Sequence, residues 1–145
     1  MGFINRLFKK PVYALSEKDL RWNKFIDEIC VKELHNLNDI QKPAVLAFWY
    51  HAHCCNGGHL CYITCRPETN PKELSNALIT LGFPELANNF QQAVLHGEEG
   101  DYVKADELFG NMEVSLCNQL MEYVEYHRKN IFPRQSYMFL SPNML

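Results

Sequence analysis

An apolar run, Ala44 to Tyr50, leads into Asn56-Gly57-Gly58, and a short amphipathic segment, His59 to Cys65, follows. A glycine there adopts the left-handed backbone that closes a helix, a conformation that costs other residues steric energy. The spacing therefore predicts a sharp helix-to-helix junction, with Asn56, Gly57 and Gly58 as its structural residues. Around it, His51, His53, His59, Cys54, Cys55, Cys61 and Cys65 all fall within fifteen positions.

The rest of the chain is helix punctuation. Ser16 before Glu17 and Asp19 is a cap with an acidic first turn, and Trp22, Phe25, Ile26, Ile29, Cys30, Leu34 and Leu37 follow at helical spacing. A second helix is expected from about Pro43, a good first-turn residue, to the glycine junction. Asn70-Pro71-Lys72-Glu73 is a strong helix start, with Leu74, Ala77, Leu78 and Leu81 inward and Gly82 as the stop. Pro84-Glu85 opens the next, with Leu86, Phe90 and Val94 inward. Asp101 is expected to cap a further helix ending at Gly110-Asn111, and a last long helix carries Val114, Cys117, Leu120, Met121 and Val124.

No stretch alternates like a strand and no repeat period appears. These features predict an all-α fold: one compact orthogonal bundle of about six or seven helices over residues 1–145, with 1–15 and 133–145 as peripheral tails. A chain of 145 residues buries about 70% of its unfolded surface without staples. No apolar run approaches the roughly 20 residues that span a bilayer, so stable membrane insertion is not expected. The basic amphipathic opening with Phe3, Leu7 and Phe8 reads as a loosely docked terminus, and Arg6 stands where a myristoylation signal has Ser or Thr. Without a secretory leader pattern, the expectation is a cytoplasmic protein with reduced cysteines.

Residues 1–42 hold eight Lys/Arg against six Asp/Glu, whereas residues 43–130 hold five against eleven. Direct binding to nucleic acid calls for the opposite, a concentrated basic face. Glu98, Glu99, Asp101, Asp106 and Glu107 lie close together and are the candidate residues for binding a partner protein.

The order of features resembles the uncharacterised helical domain that forms the C-terminal part of the bacterial DNA-mimic protein family. The likeness spans about residues 44–131 and is carried by Asn56-Gly57-Gly58, Tyr62, Ala77-Leu78, Leu81-Gly82, Ala87 and Ala93. It implies the helical fold. A DNA mimic imitates a duplex that carries about one charge per 1.7 Å of axis. Here the pI is about 6.0, and Lys72, Lys104, Arg128 and Lys129 dilute the acids. The expectation is narrower: a non-enzymatic helical module or inhibitor that binds another protein, one with a basic face, through an acidic patch.

The alternative is metal or thiol chemistry. His51 and Cys55 are four apart, as are Cys61 and Cys65, so each pair shares a helix face. Two such pairs meeting across the glycines would supply a zinc tetrahedron, with His53 or His59 as substitutes. The paired Cys-x-x-Cys knuckles of structural zinc sites are missing, and plain core packing accounts for the same cysteines, so no cofactor is expected and zinc is the rival. A nucleophilic Cys54 or Cys55 beside His53 or His59 would need Asn56 as its orienting group, a residue already occupied by the turn. Gly57-Gly58 has neither the preceding strand nor the following Lys-Ser/Thr of a phosphate loop, and the acidic group lacks calcium-loop spacing. Phe48, Trp49, Tyr50 and Tyr62 read as core packing, with Tyr50 or Tyr62 as the alternative lining of a groove. Tyr123 and Tyr126 on the last helix offer an apolar patch for a homo-oligomer or a protein ligand.

Overall fold

A computed structural model describes residues 14–133 except Asp101, with the Glu98 side chain also outside the described set. The expectations for Phe3, Leu7, Phe8, Asp101 and the tail from Arg134 therefore fall outside the described residues. Among those described there is no strand, and six α-helices pack on one another. They are α1 (Glu17–Lys24), α2 (Gln41–Cys65), α3 (Pro71–Thr80), α4 (Pro84–His96), α5 (Val103–Tyr126) and α6 (Arg128–Ile131). None is long and apolar enough to cross a membrane.

Local chemistry sets most boundaries. The Ser16 hydroxyl accepts the Asp19 N–H at 3.0 Å and the Asp19 carboxylate accepts the Ser16 N–H at 3.2 Å, a reciprocal capping box. The Asn70 side chain accepts the Lys72 N–H at 2.8 Å, with Pro71 in the first turn of α3. Helix α2 begins earlier than Pro43: the Asn38 side chain accepts the Ile40 and Gln41 N–H groups, and Gln41 Oε1 accepts the Asn38 N–H at 2.9 Å. The buried Gln41 then donates to the Ile131 carbonyl at 2.8 Å and Asn38 to that of Asn130 at 2.9 Å. The start of α2 is thereby tied to the end of α6.

Three expectations are corrected. The first stripe is not one helix: α1 gives way to a π-helical turn over Phe25–Ile29, closed by Cys30 N–H to Phe25 O at 2.9 Å. That wider turn brings Phe25, Ile29 and Cys30 inward together, all under 6% exposed. The expected break at Gly110-Asn111 is absent, and α5 runs straight through it. Ala105 and Phe109 before it, and Leu116, Leu120 and Val124 after it, are buried along one helix. Their burial outweighs the roughly 1 kcal/mol that a mid-helix glycine costs. Val94 is 43% exposed and Ala93, at 2%, takes the inward position on α4.

Helix α2 packs against α3 and α5, α4 against α3 and α5, and α1 against α5. Tyr50, fully buried on α2, meets Tyr62, Phe90 and Phe109 edge-on at ring-centroid distances of 5.4–5.7 Å, each pair contributing about 0.5–1.5 kcal/mol beyond its burial. The α1–α5 contact is edged by ion pairs Arg21–Glu125 and Lys18–Glu122.

Candidate functional site at the glycine elbow

The two glycines divide α2 into two arms. Gly57 has φ −156° and ψ 23°, and Gly58 has φ 74° and ψ −168°, both outside helical geometry. Gly58 is required twice over. Its backbone lies in the left-handed half of φ space, and a Cβ there would stand 2.5 Å from Asp106 Oδ2 on α5. The missing side chain lets Asp106 reach the open end of the second arm. Its Oδ1 accepts the His59 backbone N–H at 2.9 Å and lies 2.7 Å from His59 Nδ1.

His59 is fully buried, and its Nε2 is 2.7 Å from the Tyr50 hydroxyl. With Nδ1–H donating to the carboxylate, Nε2 accepts from Tyr50, so both ring nitrogens and the hydroxyl are paired. Burial pushes the His59 pKa down while Asp106 pulls it up, and burial raises that of the Tyr50 hydroxyl. The row Tyr50–His59–Asp106 is a buried brace between α2 and α5. It also takes Asp106 away from an outward-facing acidic group, although its side chain keeps 40% exposure. Of the other residues expected to bind a partner, Glu99 and Glu107 are exposed.

The expected metal quartet does not converge. His51 and Cys55 face Glu113 on α5: His51 Nε2 is 3.1 Å from Glu113 Oε2, and Cys55 Sγ is 3.6 Å from each of those atoms. Cys61 and Cys65 instead meet His53, with the two sulfurs 3.9 Å apart and Cys61 Sγ 3.9 Å from His53 Nδ1. Positions 51 and 53 are about 200° apart around a helix. The non-helical backbone at the glycines aims the second arm at the His53 side. The result is two separate three-residue groups, His51–Cys55–Glu113 and His53–Cys61–Cys65.

Three of the thiols around the elbow, Cys54, Cys55 and Cys65, are shifted away from the thiolate. Burial and the Glu113 carboxylate push Cys55 up to about 11, burial raises Cys54, and the hydrogen bond with Cys61 raises Cys65. A thiolate nucleophile requires the opposite shift. Cys117, one turn beyond Glu113, is also raised by burial and by that carboxylate.

Beside the second group lies a cleft of about 760 Å³ between residues 30–35, the first arm of α2 and residues 66–69. The Arg66 guanidinium sits 4.0 Å above the Trp49 ring and donates from Nε to His53 Nε2 at 3.3 Å. Tyr62 borders this cleft although only 3% exposed, whereas Tyr50 belongs wholly to the core. On α5 the Tyr123 hydroxyl donates to the Ile40 carbonyl at 2.9 Å, and Tyr126 is 82% exposed.

A family model described as DMP19-like protein matches residues 35–129, about two thirds of the chain. The chain belongs to the DMP19-like protein family. The matched part of this DMP19-like chain starts nine residues before the expected 44 and holds the whole glycine elbow and both His–Cys groups. No curated protein and no solved structure matches it.

Sequence reasoning missed Glu113 as the third member of the His51–Cys55 group and missed the Tyr50–His59–Asp106 brace. A signal for the first is present: Glu113 and Cys117 repeat on α5 the four-residue spacing of His51 and Cys55. Nothing local pairs His59 with Asp106, which are 47 positions apart.

Proposed function

We propose that this DMP19-like chain is a non-enzymatic protein-interaction module or inhibitor whose acidic surface, around residues 98–107, meets the basic face of another protein. One observation carries this reading. The family-matched segment holds twelve Asp/Glu against six Lys/Arg, and the flanking segments have the opposite balance. Membership of a DNA-mimic family is compatible with it, as are the raised pKa values of Cys54, Cys55 and Cys65, the opposite of what a nucleophilic thiol needs. The helical domain with the Asn-Gly-Gly junction is the part of that family that the chain most resembles. The charge is too dilute to imitate a long duplex, so the reading is a local acidic patch used in the cytoplasm of a bacterium.

Glu98, Glu99, Asp101 and Glu107 are the residues to reverse in the test. Asp106 is spared, because changing it breaks the brace to His59. The quadruple Lys variant and the wild type are compared as affinity baits in lysate of the source cells, with far-UV circular dichroism on both. Loss of a specific, salt-sensitive partner at unchanged helicity supports the proposal. Capture of the same partner at equal strength by both proteins refutes it.

A further inference from the structure

The geometry points to a zinc-class divalent metal site formed by His51 Nε2, Cys55 Sγ and Glu113 Oε2, joining the first arm of α2 to α5. Ligands held tetrahedrally at about 2.0–2.3 Å from zinc are about 3.3–3.8 Å from one another. The three edges of this group, 3.1, 3.6 and 3.6 Å, are close to one face of such a tetrahedron before any side chain moves. Backbone rigidity supports the arrangement. His51 and Cys55 sit one turn apart on α2, and Glu113 lies in the middle of α5.

The donor set is chemically suited to the ion. A thiolate and a carboxylate neutralise the dication, and an imidazole completes a borderline-soft set that favours zinc over magnesium or calcium. On binding, the Cys55 thiol proton leaves to solvent as the Zn–S bond forms. His51 changes tautomer, losing its Nε2 proton and gaining one at Nδ1 from water, so one proton is released per ion. Cys55 is exposed, which leaves the fourth corner open to a water molecule.

The neighbouring group is a poorer match. In His53–Cys61–Cys65, Arg66 donates to His53 Nε2, which leaves the ring proton on Nδ1, the atom facing Cys61. The guanidinium charge beside it also opposes a cation. Among the described residues, the ion-pair partner of Glu113 is His51, with no Lys or Arg within bridging distance.

The test is a Co(II) titration of the full, reduced, tag-free chain, followed by displacement with Zn(II). The expected result is one Co(II) per chain, with intense visible bands of tetrahedral cobalt and a near-ultraviolet thiolate-to-cobalt band, all abolished by Zn(II). Cys55→Ser removes the thiolate band and weakens binding more than about a hundredfold. Glu113→Gln weakens it at least about tenfold with the thiolate band retained; loss of an outer partner alone costs about 10–100-fold. The double variant C61S/C65S binds like the wild type. Absence of uptake, or uptake that survives C55S and disappears in C61S/C65S, overturns the assignment. Because Cys55 is exposed and Glu113→Gln preserves shape, two independent variants report on the site in a folded chain.

Discussion

The Asp106 carboxylate on α5 accepts the backbone N–H of His59 at the break in α2, in the space that the missing side chain of Gly58 leaves open. The same carboxylate holds the imidazole of His59, which in turn receives the Tyr50 hydroxyl. Replacing Asp106 by Ala strips two buried donors of their acceptor, and the expected loss is about 2 kcal/mol. Asp106→Asn keeps one acceptor oxygen and should lose less. Urea unfolding of the three proteins checks the order, and equal midpoints would remove the brace as a source of stability.

Two glycines should respond in opposite directions to alanine. At Gly58 the backbone, at φ 74° and ψ −168°, lies in a region that is essentially reserved for glycine and costs other residues about 1–3 kcal/mol, and the new Cβ displaces Asp106, for an expected total of about 3 kcal/mol or more. Gly110 lies within α5, exposed, with no atom within 4 Å of the place a methyl group would take. Gly110→Ala should stabilise the protein by about 0.5–1 kcal/mol. Thermal melts of both variants read the two signs directly.

Acid should destabilise the fold through its histidines. Burial holds His59 and His53 below the ordinary value of 6.5, with Arg66 adding to the effect at His53 and Asp106 opposing it at His59. The unfolded chain therefore takes up protons first as the pH falls. The stability from the neutral rings is complete above about 6.5 and is lost below it, by at most about 1.4 kcal/mol per pH unit for the buried His59 and by less for the partly exposed His53. Urea midpoints followed into mild acid should fall, with a shallower slope in His53→Gln. A midpoint that rises on acidification contradicts this assignment.

The thiols should sort by exposure rather than by activation. Cys55 and Cys65 are exposed, Cys61 and Cys117 are half-buried, and Cys30 and Cys54 are buried. A chromogenic disulfide should label Cys55 and Cys65 slowly at neutral pH and Cys30 and Cys54 only on unfolding. Glu113→Gln should speed the reaction at Cys55, since the carboxylate is one of the groups holding that thiol protonated near 11. Mass mapping of the first labelled cysteines decides the matter.

Local signals carry far in this sequence. Ser16 with Asp19, Asn70 with Pro71, and Pro84 each act within one turn, so their helix starts are read from adjacent residues. The glycine elbow is legible for the same reason. Gly110-Asn111 misleads because a glycine stops a helix only when no buried face continues beyond it, and Leu116 and Leu120 continue this one. Asn38 with Gln41 is a capping box in plain view, masked by the more conspicuous Pro43. The division of the cysteines depends on how the elbow turns the second arm, and the Glu113 and Asp106 contacts depend on α5 returning across α2. Those are tertiary facts with no local signature.

The bonds from Asn38 and Gln41 to the carbonyls of Asn130 and Ile131 act as a clasp between distant parts of the chain. They set a limit on trimming. A fragment cut to the family-matched residues would end at Lys129, and the buried Gln41 amide would lose its acceptor. It would also lose Arg21 and Phe25, which lie against the matched segment from outside it. The segment matched by the family model therefore leaves out residues that its own first and last turns bond to and that its helices pack against.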